Sequence, residues 1–383
     1  MNKRTIGECF YQIRNGANIK QGMVEGGFPI TRIETIANDK FNRDRMGYAG
    51  ITDAEKYKKY ILEDGDLLMS HINSTQYLGR TVLYKKNGDE KIIHGMNLLG
   101  LKANREIIEP AYAKYYFYSK PFREQINRIT KKSVNQASFA VADLKRLTIL
   151  VPPLSKQHEV VDVLDKINKI ITFCQQQLAK LDELVKARFV EMFSDTRAEE
   201  PLATLCTFID YRGKTPEKAE RGLPFITAKS IKIHHMSFET KEFISKETYD
   251  KVMTRGFPKV GDVVFTTEAP LGNVCRIPYM KTEFYIGQRI ITMQTKALEP
   301  VYLEYALSSD DFKRKILEKS SGSTVTGIRS KLLEQLTIPV PPIAQQQKFA
   351  AFVGQIEKIR LFIQKNIEKI ETLKKALMQK YFE

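Results

Sequence analysis

The chain has 383 residues, of which 42% are hydrophobic and 28% charged, and it carries a formal net charge of +16. That length suits two domains plus an elongated part, and the apolar share excludes a disordered chain. No apolar run reaches the roughly 18 residues of a membrane span, and the N-terminal MNKRTIGECFYQIRNG lacks the apolar core of a signal peptide, so neither is expected.

The four cysteines, Cys9, Cys174, Cys206 and Cys275, show no CxxC or paired spacing. That fits a reducing cytoplasm, with neither a disulfide framework nor a zinc site. The spread of basic residues favours a polyanion partner, usually nucleic acid, although a basic protein without such a partner accounts for the charge equally well.

In chain order, residues 1–150 mix short strand-like runs with turns. GGFPITRIETI (26–36) reads as a turn feeding a strand, and EDGDLLMSHI (63–72) as Asp-Gly-Asp before an apolar run. EPAYAKYYFYSKPFREQINRI (109–129) places Tyr112, Tyr115, Tyr116 and Phe122 near helical spacing, so these aromatics are expected in the core. A polar tract, TKKSVNQASF (130–139), follows.

LTILVPP then opens a long stretch from Leu147 to Phe193. The Leu-Thr-Ile-x-Val run reads as a strand arriving from the preceding domain. The Pro-Pro pair can stand only ahead of a helix or in its first turn. Beyond it Val160, Leu164, Ile167, Ile171, Cys174, Leu178, Leu181, Val185 and Met192 keep one helix face apolar for about forty residues, roughly 60 Å.

The stretch occurs twice. At a constant offset of 189, Leu147, Thr148, Ile149, Val151, Pro152, Pro153, Gln157 and Ile167 recur as Leu336, Thr337, Ile338, Val340, Pro341, Pro342, Gln346 and Ile356. The second helix keeps its frame with Phe349, Val353, Ile356, Ile363, Ile367, Ile370 and Leu377, interrupted by Arg360 and Lys374. Neither helix can hide its stripe alone. Pairing of the two as a coiled coil is the economical solution; separate packing of each on its own domain is the alternative.

The segment between the copies repeats the first more loosely. RGLPFITAKSI answers GGFPITRIETI, KVGDVVFTT answers EDGDLLMSH, IGQRIITMQ answers HGMNLLGLK, and VYLEYALSSDDFKRKI answers AYAKYYFYSKPFREQI. GSTVTGI stands at the same 189 offset from SVNQASF. The whole chain is therefore a duplication, each half a head followed by a long helix.

Catalytic signatures are sparse. There is no GxxxxGK[ST], no GxGxxG opening a helix, and no Asn-Pro-Pro-aromatic tetrapeptide. His71, His94, His158, His234 and His235 lack metal-ligand spacing, and the adjacent pair reads as a solvated edge. Glu239 and Lys241 form a Glu-x-Lys without a nearby upstream acid. The chain is read as non-catalytic.

Binding chemistry remains, in loops rich in side chains that read base edges and phosphates. In the first head the candidates are Arg43, Arg45, Asn73, Gln76, Arg80, Lys131, Asn135 and Gln136. In the second they are Arg212, Lys214, Asn273, Arg289, Ser323, Thr324 and Arg329. Arginine or lysine would engage guanine or phosphate, and the amides of Asn73, Gln76, Asn135 and Gln136 suit adenine. An ordinary polar loop explains any one of them; their clustering in equivalent loops of both heads favours the set.

The hydrophobic–Pro-Pro–Leu/Ile–x-x-Gln start of a long helix, given twice, resembles the specificity subunit of type I restriction–modification systems. DYRGKTP (210–216) and G-x-P-x-I-x-A-x-x-I (222–231) look like that family's target-recognition domains, though the first head lacks a DYRGKTP equivalent. The resemblance implies an α+β, pseudo-two-fold dumbbell of two mixed α/β target-recognition domains joined by two long antiparallel coiled-coil helices. The expected divisions are 1–150 and 195–338 for the heads, with 151–194 and 339–383 for the helices. Pairing is expected through Val160, Leu164, Ile167, Ile171, Leu178 and Leu181 against Val353, Ile356, Ile363, Ile367 and Ile370.

The same resemblance implies that each head reads half of a bipartite double-stranded DNA site and that the rod sets the gap. Two methyltransferase (modification) subunits would dock on the outer helix faces, and motor-nuclease (restriction) subunits would join them. No cofactor belongs to this chain; S-adenosylmethionine, ATP and Mg are expected in the partners. A coiled-coil scaffold whose heads bind proteins is the alternative.

Overall fold

The computed structural model describes residues 2–22, 27–134, 136–239, 241–320 and 327–383. The chain forms two compact units, Met1–Gln175 with Lys365–Glu383, and Gln176–Gln364. Each unit thus combines a head with part of each long helix.

In the first unit, β1 (Asn2–Thr5) leads to β2 (Phe10–Asn15), and β3 (Leu67–Ser70), β4 (Thr81–Leu83) and β5 (Leu98–Ala103) follow. They make an antiparallel sheet in the order β2-β5-β3-β4. Alternation sorts its side chains. Leu67, Met69, Leu99 and Leu101 face a core shared with α1 (Pro110–Phe117) and α2 (Lys120–Ile129), while Leu68, Val82 and Leu98 face a second cluster around Ile36, Leu62 and Tyr84. Tyr112, Tyr115, Tyr116 and Phe122 are buried there as expected.

The Leu-Thr-Ile-x-Val run is a strand, β6 (Thr148–Val151), paired antiparallel with β1 from Asn2↔Val151 to Thr5↔Thr148. The helix α3 (Leu154–Phe193) starts directly after the prolines.

The second unit repeats the plan: β7 (Glu199–Pro201), β8 (Cys206–Asp210), β9 (Val263–Thr266), β10 (Val274–Arg276) and β11 (Ile290–Thr295), with sheet order β8-β11-β9-β10. Helices α4 (Pro300–Ser308) and α5 (Asp310–Lys319) cover it, β12 (Thr337–Pro339) pairs with β7, and α6 (Ile343–Phe382) follows Pro342. The Asp-Gly-Asp and Val-Gly-Asp turns are the same device. Gly65 and Gly261 take φ of +88° and +92°, and Asp66 and Asp262 accept from the Glu63 and Lys259 N–H groups at 2.9 and 2.7 Å.

The recurring glutamine now has a physical role. Gln157 is 0% and Gln346 1% exposed. Each accepts from the N–H at the start of the covering helix (Glu109 at 2.8 Å, Glu299 at 2.9 Å) and donates to the first proline's carbonyl (Pro152 and Pro341, both 2.8 Å). One buried amide thereby locks the long helix to the head in both units.

Within each unit the long helices pack antiparallel. In the second, Phe349 meets Phe189 and Phe193 with ring centroids 5.4 and 5.5 Å apart, Arg188 lies 6.0 Å from the Phe352 ring, and Arg360 is ion-paired with Asp182. Val185 joins Val353 and Ile356 in that core, beside Leu181. In the first unit Val160 and Leu164 share a core with Phe382, flanked by Leu377 and Tyr381. Ile167 and Ile363 are buried, while Ile171, Leu178, Ile367 and Ile370 are half-buried.

Candidate nucleic-acid interface

The site in the second head begins where β8 ends. Asp210 Oδ1 accepts from the Arg212 N–H at 2.8 Å, closing a turn. Tyr285 donates its hydroxyl to the Lys214 carbonyl at 3.0 Å, and the Arg255 guanidinium donates to the carbonyls of Asp210 and Arg212 at 2.9 and 2.8 Å. The Asp-Tyr-Arg-Gly-Lys loop is thus fixed through its carbonyls and the Asp210 carboxylate, in bonds that do not use the Arg212 and Lys214 side chains.

Arg212 lines a cleft of about 280 Å³ with Thr267, Glu268, Gln288, Arg289, Gly327, Ile328 and Arg329. Thr267 ties the walls together: its N–H donates to the Arg289 carbonyl at 2.9 Å and its carbonyl accepts from Ile328 at 3.0 Å. A second cleft of about 260 Å³, with Thr215, Lys218 and Lys229, shares Gln288 and Arg289. Five cations therefore face two carboxylates, Glu268 and Glu242. Arg289 pairs with Glu268 at 2.9 Å and Lys218 with Glu242 at 3.1 Å. Among the described residues the Nε and Nη2 of Arg212 have no hydrogen-bond partner, with Asp210 Oδ2 3.6 Å from Nη2. A surplus of guanidinium groups with unmet donors is suited to an anionic ligand.

Of the second-head candidates, Arg212, Arg289 and Arg329 come together in this cleft. Lys214 is half-buried beside it in the fixed loop. Asn273 is engaged elsewhere, its side-chain amide donating to the Ile231 carbonyl at 2.8 Å. Ser323 and Thr324 lie outside the described residues.

In the first head a small ribbon collects Asn73 with Lys131: Ile72–Asn73 pairs with Ala137–Ser138, which pairs with Lys131–Lys132. Gln136 is exposed beside it, and Asn135 lies outside the described residues. Gln76 sits exposed in the Thr75–Tyr77 turn. Arg80 stacks 4.4 Å from the Tyr77 ring centre and pairs with Asp39 at 3.1 Å.

Arg45 is exposed, but Arg43 is not available in the same way. Its Nε donates to Glu90 at 2.8 Å and its Nη2 to the Lys85 carbonyl at 2.8 Å. The guanidinium holds the Glu90 carboxyl down to about 2. Arg43 is a clamp of the fold.

Of the two adjacent histidines expected at a solvated edge, one departs from that expectation. His235 is exposed, but His234, at φ +63°, stacks on Tyr305 at 4.1 Å and lies 2.9 Å from the buried Glu304 carboxylate, which also pairs with Arg276. A carboxylate 1% exposed requires such partners, which is why this histidine turns inward. His94 is buried too: burial pushes it down to about 4, so it is neutral and donates Nε2–H to the Leu98 carbonyl at 2.8 Å. Burial pushes the Cys9 thiol up to about 11 and those of Cys206 and Cys275 to about 12. Among the described residues no three His, Cys, Asp or Glu side chains gather to hold a metal, and no helix is long and apolar enough to cross a membrane.

Sequence reasoning singled out Arg289 but not Gln288 beside it, nor Met96 at the equivalent place in the first head. The alignment of HGMN with IGQR held the signal.

The family model for the type I restriction modification DNA specificity domain matches residues 1–183 and again 204–372. The putative type I restriction enzyme MjaX specificity subunit of Methanocaldococcus jannaschii is 29% identical over 98% of this chain and 91% of its own length. A chain from a structural study of complex assembly and conformational transition of the type I R-M system aligns over 99% of this chain and 96% of its own, with a TM-score of 0.61 at 17% identity. The type I restriction-modification S subunit from M. genitalium aligns over 100% and 96%, with a TM-score of 0.55 at 16% identity. With both halves of the chain matched and both heads folded on one plan, the protein belongs to the type I restriction modification DNA specificity family.

Proposed function

We propose that this chain reads an asymmetric, two-part DNA site, one half with each head, for a type I restriction–modification complex. The observation that supports this most is the duplicated head: one framework, carrying different outward side chains at equivalent loops, with a cation-rich cleft in the second. Two different readers on one chain call for two different half-sites. The long helices connect the heads and set the gap between half-sites.

The same helices carry exposed apolar residues away from their packed stripes: Ile170, Phe173 and Leu184 on α3, and Ile359, Phe362 and Leu373 on α6. These faces dock two methyltransferase subunits, to which restriction subunits add. S-adenosylmethionine, ATP and Mg act in those partners, and this chain supplies recognition without catalysis.

The test is selection from a pool of randomised duplexes by the chain complexed with its modification subunits. A motif in two parts with a fixed gap is expected, with log affinity falling by about 0.9 per phosphate contact per log unit of salt. Enrichment of one continuous motif, or none, would overturn the proposal. Arg212→Ala and Lys214→Ala should each weaken duplex binding several-fold while leaving the modification subunits bound.

A further inference from the structure

Each head contains the same glycine turn at the start of the central strand. In the first head the Leu98 N–H donates to the Gly95 carbonyl at 3.4 Å; in the second the Ile290 N–H donates to that of Gly287 at 3.1 Å. Both glycines are buried against a neighbouring segment. A Cβ on Gly95 would sit 2.2 Å from the Thr31 carbonyl oxygen, and one on Gly287 3.0 Å from the Phe225 ring and 3.1 Å from the Ile226 carbonyl oxygen. The glycine N–H groups are also tied down, Gly95 to Thr31 Oγ1 at 2.9 Å and Gly287 to the Ile226 carbonyl at 2.8 Å. The turn is therefore a rigid mount, and the residue after the glycine points outward on it. That residue is Met96 in one head, 46% exposed, and Gln288 in the other, half-buried between the two cationic clefts.

We infer that this turn is the base-reading tip of each head, with Gln288 selecting an adenine and Met96 selecting a thymine through its methyl group. The inference rests on the proposed DNA-reading role. Gln288 Oε1 accepts from Thr215 Oγ1 at 3.2 Å, which orients the amide, and its Nε2 has no hydrogen-bond partner among the described residues. An amide so held donates Nε2–H to adenine N7 and keeps its second Oε1 lone pair for the N6 amino group; guanine, with an acceptor at O6, repels it. Arg212, Arg289 and Lys218 around it hold the flanking phosphates. Met96 has no strong donor or acceptor, so its discrimination is apolar contact, and in the major groove the thymine C5-methyl is the apolar feature. A fixed backbone with a variable tip lets one framework read different bases.

The test compares Gln288→Met and Met96→Gln with wild type, each as the full chain with its modification subunits, by selection from randomised duplexes. Wild type is the control for the underlying role: if it enriches no two-part motif, that role fails and the variants are moot. Given a wild-type motif, Gln288→Met should abolish about ten-fold or more of an adenine preference at one position of one half-site. Met96→Gln should change one position of the other half. Thermal melting of both variants, expected to match wild type because both side chains point outward, separates misreading from misfolding. Unchanged motifs in both variants, or a uniform loss of one half-site with normal melting, would overturn the inference.

Discussion

At the scale of single residues, Arg43 is held by Glu90, a carboxylate 47 positions away that accepts from its Nε at 2.8 Å. Arg43→Met should therefore destabilise the first head at neutral pH, measurable as an earlier urea midpoint. The sign of the pH dependence follows from Glu90. Its folded pKa is lowered to about 2, so the pair's contribution is complete above the ordinary glutamate range and is lost as pH falls from about 4.5 towards 2. The difference between wild type and Arg43→Met should shrink across that window, and a constant difference would contradict the clamp. Gln157 and Gln346 make a parallel case. Their recurrence is visible in the sequence, yet their burial and their hydrogen bonds are not, because the partners Glu109 and Glu299 stand 48 and 47 residues away. Gln157→Leu strands the Glu109 N–H and the carbonyls of Pro152 and Ile107 and should cost about 2–4 kcal/mol; a loss below about 0.5 kcal/mol would refute the locking role.

Elements were read best where the pattern is local. The heptad frames, the Pro-Pro helix starts and the Gly-Asp turns all rest on residues within one or two turns of each other, and the structure has them where expected. Sheet pairing was hidden, since β1 and β6 join the two ends of one head. Arg360 interrupts the apolar stripe without breaking the packing because Asp182 on the facing helix accepts it. That pair is exposed enough to contribute at most about 1 kcal/mol. The stripe matters far more: Ile356, 6% exposed, packs in the core with Val185 and Phe349, so Ile356→Asp should destabilise the second unit by about 3 kcal/mol or more. Retention of the wild-type denaturation midpoint would show that the stripe is not a core. The loops proposed to contact DNA are legible only as composition, because which polar side chain is engaged depends on distant carbonyls and carboxylates, as Asn273 and Arg80 illustrate.

For the whole molecule, the duplication was the decisive signal, since two matched heads and two matched helices constrain the fold together. Partner docking belongs to this scale. Phe173→Glu and Phe362→Glu, on side chains 59% and 66% exposed, should leave melting of the chain unchanged while displacing modification subunits in co-purification. Full retention of the partners would contradict the proposed docking faces. The decisive measurement is to express the chain with its modification subunits in a methylation-free host and map modified adenines across the genome by long-read sequencing. An asymmetric motif in two parts with a fixed gap is the expected result, one part assigned to each head. Methylation at a continuous or palindromic motif, or a stable complex that modifies nothing, would contradict the reading of two half-sites by two heads.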